Sequence, residues 1–121
     1  MTEQEVQEIY NRLLELTKAG TIQWKKTGEN EFTTSFSRSS VTVEVEEIFD
    51  QGGVAVLKIF NDAGLMVAYA TPMTGLGIVD ADVMEFDLDP STLFSLVREK
   101  VFKYSETSEN ILEELRKLKV S

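Results

Sequence analysis

"VTVEVEEI", residues 41–48, alternates apolar and polar side chains almost without fault. A period of two is that of a β-strand, whose successive side chains point to opposite faces. Val41, Val43 and Val45 are therefore expected inward, with Thr42, Glu44 and Glu46 on an outward, wet face. One wet face is what an antiparallel sheet allows and a parallel one rarely does.

The flanking segments extend the same pattern. Upstream, "FTTSF" (32–36) alternates through Phe32, Thr34 and Phe36, and "TIQWKK" (21–26) places Ile22 and Trp24 on a common face. "TGENE" (27–31) and "SRSS" (37–40) supply turns, so the two upstream segments read as a hairpin with Trp24 in or beside the core. Downstream, "DQGG" (50–53) turns into "VAVLKIF" (54–60), and "NDAG" (61–64) turns into "LMVAYAT" (65–71). Both strands are apolar at nearly every position, which places them centrally, with cover on each face. Short turns throughout predict an antiparallel meander of about five strands.

Helices are expected on either side of this sheet. Thr2 and Glu5 have the spacing of a capping box, and Gly20 follows Lys18 as a helix stop would, so a helix is predicted over residues 3–18 with Ile9, Leu13 and Leu16 as its buried stripe. After Pro72, residues 72–89 fit neither period and read as a long connection. "DPSTLFSLVREKV" (89–101) restarts helix, with Asp89 at the N-cap and Pro90 at the first helical position. A single helix to Lys119 would run about 45 Å, longer than a domain of this size is wide. "SETSEN" (105–110) offers cap-forming side chains, so two helices are expected, about 90–104 and 108–119. The whole chain reads as one α+β domain, residues 1–121, with its C-terminal helical segment packed beside the first helix on one sheet face.

Composition removes much chemistry. The 121 residues include no Cys and no His. Thiolate nucleophiles, disulfides, histidine bases and the commonest metal ligands are thereby excluded, which leaves an enzyme only carboxylates, Lys and hydroxyl groups. No cofactor motif is present: "TGLGI" (74–78) lacks the spacing of a phosphate-binding loop. The start "MTEQEVQEIY" is acidic where a secretory signal would be basic, and no apolar run approaches the roughly 20 residues of a membrane span, so the chain reads as cytoplasmic.

The net charge of −9 is unevenly placed. Residues 41–92 hold ten acidic groups against Lys58 alone, while the remainder holds eleven of each sign. An acidic middle repels a phosphate backbone and attracts cations, so direct nucleic-acid binding is not expected and a basic protein partner is. The densest part is "DADVMEFDLDP" (80–90), with Asp80, Asp82, Glu85, Asp87 and Asp89. Its spacing does not fit a calcium loop, because Met84 and Glu85 stand where an acidic or amide residue and a Gly are needed. Two of the carboxylates, Asp87 and Asp89, also suit the opening of a helix.

The candidate binding residues are thus Glu44, Glu46, Asp80, Asp82, Glu85 and Asp87, with no catalytic or metal-ligating residue assigned. The function expected is that of a non-catalytic module that binds a basic protein. An alternative is an inhibitor or immunity-type protein that masks a nuclease or nucleic-acid site, and a more remote one is an enzyme working with carboxylates and Lys. Two adjacent strands apolar on both faces also point to homodimerisation, as the helices would leave part of them uncovered.

Overall fold

The structure, a computed structural model, describes residues 1–47, 52–75 and 79–118. Its elements are helix α1 (Glu3–Lys18), strands β1 (Lys25–Gly28), β2 (Glu31–Ser35), β3 (Ser40–Glu47), β4 (Gly53–Phe60), β5 (Met66–Thr71) and β6 (Met84–Asp87), then helices α2 (Ser91–Phe102) and α3 (Tyr104–Lys117). The six strands lie in one sheet in chain order. The first five form the expected antiparallel meander, and β6 adds parallel to β5. This is the α+β arrangement read from the sequence, enlarged by one strand inside the connection 72–89.

Helix α1 begins on the capping box. The Glu5 backbone N–H donates to Thr2 Oγ1 (3.1 Å), and the Thr2 backbone N–H donates to Glu5 Oε1 (2.8 Å). It ends where Gly20 takes φ +73°, a conformation Gly adopts without a Cβ penalty. The Thr21 N–H then reaches the Leu16 carbonyl and the Gly20 N–H that of Thr17, so the last carbonyls are satisfied.

The buried stripe of α1 differs from the one expected. Val6, Tyr10, Leu13 and Thr17 face the sheet, while Leu16 is exposed and Ile9 only half-buried. The reason is polar: the Trp24 indole N–H donates to Thr17 Oγ1 (2.9 Å) and the Leu93 N–H to the Tyr10 hydroxyl (3.3 Å), which rotates those residues inward. Trp24 itself is buried, in the residues just before β1. Phe36, expected inward, lies beyond the end of β2 and is exposed.

The core lies between the sheet and α1 with α2. Phe32, Val43, Leu57, Ala70 and Phe86 are lateral neighbours across five strands, and Leu93 and Val97 of α2 pack on them. Both faces of the central strands are closed: Val56 and Tyr69, which point away from this core, are buried as well. The uncovered strand surface that suggested homodimerisation is therefore not found on β4 and β5.

The opening of α2 is shifted by one residue. Pro90, not Asp89, is the N-cap, and the Ser91 N–H donates to Asp89 Oδ1 at 3.0 Å. The helix stops at Lys103, which takes the left-handed conformation (φ 55°, ψ 46°), so the break precedes the "SETSEN" cluster. Of the two C-terminal helices, only α2 packs on the sheet; no residue of α3 is buried. The first half of the "DQGG" turn, the end of "TGLGI" and Lys119 lie outside the described residues.

Candidate functional site

The sheet face turned away from α1 and α2 carries most of the candidate carboxylates. Register sets one row of side chains on it: Thr33, Thr42, Lys58, Tyr69 and Glu85, from β2 to β6. A second row starts with Glu31, Glu44 and Val56, and Asp87 stands beside Thr71 at the far edge. Thr33 and Thr42 share a hydrogen bond (2.9 Å), and Thr27 extends the hydroxyl chain to Thr33 (3.0 Å).

Lys58 divides these acids into two kinds. Its Nζ lies 2.5 Å from Glu44 Oε1 and 2.8 Å from Glu46 Oε1, with the three side chains only 12–23 % exposed. Neither oxygen has an aligned hydrogen bond, so these are close charge contacts rather than directed bonds. The Tyr69 hydroxyl lies 3.4 Å from Glu46 Oε2, at the long limit for a donated bond.

Titration follows from this crowding. Burial pushes the Glu44 carboxyl above its ordinary range, and Lys58 only partly offsets it because one cation serves two acids; Glu46 and Glu31 add to the rise. Burial also opposes the charge on Lys58, but the contacts with Glu44 and Glu46 outweigh it and raise the ammonium. The Tyr69 hydroxyl is pushed up to about 12, first by burial and then by the charge of Glu46. A lysine held this firmly in its charged form is the opposite of the depressed, free amine that a nucleophile or base requires.

Asp80, Asp82, Glu85 and Asp87 have a different setting. All four are exposed, and none is paired with a Lys or Arg among the described residues. Glu85 and Asp87 lie on β6, the free edge of the sheet, where Glu85 Oε2 accepts a hydrogen bond from the Gly75 N–H (2.8 Å). Asp80 and Asp82 precede the strand and border a hollow of about 290 Å³ with Asn61, Leu65 and Val67, at the β4–β5 turn. Glu44 and Glu46 are three strands away, about 14 Å at the usual strand spacing. The six candidates thus separate into a pair that shares Lys58 and an open acidic edge.

No protein-family model, curated protein or solved structure matches the chain.

Among the described residues, no group of three acidic side chains is placed to hold a metal ion, and no helix is long and apolar enough to cross a membrane. Lys58 and Tyr69 are the members of this face that the candidate list lacked. A signal for Lys58 was present: in "GVAVLKIF" it falls at even spacing from Val54 and Val56, on the face that an antiparallel partner shares with Glu44 and Glu46.

Proposed function

We propose that the protein is a non-catalytic binding module whose acidic edge, Asp80, Asp82, Glu85 and Asp87, engages a basic protein. The observation that carries this reading is the contrast between the two groups: where a carboxylate pair is central it has been given Lys58, while the four at the edge are exposed and form no ion pair among the described residues. Clustered charge of one sign speeds encounter with an opposite surface and costs stability by self-repulsion. Charged side chains also blunt a free strand edge, and that protective role is the reading the experiment must beat.

The test is capture from an extract of its native cells at low salt, with the tagged wild type, D80N/D82N/E85Q/D87N, and E8Q/E15Q/E29Q/E47Q as an equally neutralised control away from that edge. The expected result is a set of basic proteins retained by the wild type and the control, released by salt, and lost with the edge variant. Equal retention by the edge variant removes the proposal and leaves edge protection as the role of these acids.

A further inference from the structure

Two apolar surfaces lack a partner among the described residues of the chain. Helix α3 carries Ile111, Leu112 and Leu115 along one side, with Leu118 just past its last turn; Leu115 is 56 % and Leu118 70 % exposed. On the body, a groove of about 240 Å³ runs between α1 and the β2–β3 turn, walled by Ile9, Leu13, Leu16, Phe36, Val41 and Ile59. Phe36 on its lip is 45 % exposed, and Leu16 is the α1 residue turned out of the core.

We infer that α3 of one copy seats its apolar side in this groove of a second copy, and that the exchange is reciprocal. Charge selects the pairing. Two of the four Arg in the chain border the groove: Arg12 lines it, and Arg38 stands in the turn between the lining residues Phe36 and Ser39. Helix α3 brings Glu106, Glu109, Glu113 and Glu114 against Arg116 and Lys117, so an acidic helix meets a basic rim on an otherwise acidic molecule.

The helix is also held in one direction. The Ser105 N–H donates to the Glu99 carboxylate (3.0 Å), Arg98 Nε to the Tyr104 hydroxyl (3.0 Å), and the Phe102 and Tyr104 rings stack at 5.4 Å. Folding back onto the groove of its own copy would break these contacts. With the exchange reciprocal, the two copies form a closed two-fold pair, in which each gives and receives one helix and neither apolar surface is left free. Separately from the acidic edge, this inference concerns assembly, and it stands or falls independently of the proposed partner.

Sedimentation velocity from low to about 100 µM, a range that captures micromolar association, tests it with five proteins. The wild type is expected to dimerise. Leu115→Glu in the helix and Phe36→Glu in the groove are each expected to weaken the dimer at least about tenfold, with an unchanged circular dichroism spectrum. R12E/R38E is expected to weaken it as well, and adding E109R/E113R to recover it. A monomeric wild type at the highest concentration overturns the inference, whether α3 is free or folded on its own body. A dimer that fails with Leu115→Glu but ignores Phe36→Glu and R12E/R38E overturns it in favour of helix-to-helix pairing.

Discussion

Lys58 is the one cation between two half-buried carboxylates, and its removal tests how tightly that group of three is balanced. Lys58→Met keeps the stem and deletes the charge, leaving Glu44 and Glu46 without compensation. A loss of roughly 2–3 kcal/mol in urea unfolding at pH 7 is expected, at or just below the least that breaking a fully buried pair costs, because these side chains keep some contact with water. The loss should shrink near pH 5: the folded-state pKa of Glu44 is already raised, so the folded protein takes up a proton there more readily than the unfolded chain. Tyr69 makes a prediction at the other end of the scale. Its folded-state pKa of about 12 lies above the ordinary 10, so its contribution is intact below pH 10 and is lost as pH rises toward 12. The wild-type melting temperature should fall through that window, and fall less steeply in Tyr69→Phe. Tyr10 and Lys58 shift the same way, so the variant's decline is reduced rather than abolished.

At the level of elements, local chemistry fixed the helix ends more sharply than their faces. Asp89 accepts the Ser91 N–H, one of the four donors a helix leaves open at its start. Asp89→Ala should therefore destabilise by about 1 kcal/mol in chemical denaturation, although Pro90 occupies the cap position itself. The capping box and Gly20 were legible because each is a short pattern with a single geometric use. The buried stripe of α1 was not, because the hydroxyls of Tyr10 and Thr17 find partners that lie 83 and 7 residues away along the chain. Strand β6 escaped notice for another reason: it is four residues long and only Phe86 is buried in it, too little for a period to show. In α3, Ile111 and Leu115 recur at helical spacing, which marks an apolar side but cannot say what covers it. For the candidate site, the alternation in residues 41–48 placed Glu44 and Glu46 on the outer face correctly, whereas their sharing of Lys58 depended on a register that no local pattern specifies.

For the whole molecule, the charge imbalance was plain from composition, but its division into a pair that shares Lys58 and an open edge needed the sheet. That sheet has a property with kinetic meaning. Its first five strands form a meander in chain order, so each of them forms beside the strand just made, with short loops to close and little entropy lost at each step. The contact between α1 and α2 is different, since the Leu93 N–H and the Tyr10 hydroxyl must meet across 83 residues. A folding transition state built on the central hairpin of β3 and β4 follows, with the two ends of the chain docking after the barrier. Val43→Ala should then slow folding, with a φ-value above about 0.5, while Val6→Ala should chiefly speed unfolding, with a φ-value below about 0.3. Stopped-flow chevrons of the two variants decide it: the reverse ranking would mean that the chain ends meet first and the meander grows against them. On the expected order, the last part of this molecule to assemble is its helical layer, so the sheet stands briefly with its apolar face open before α1 and α2 close over it.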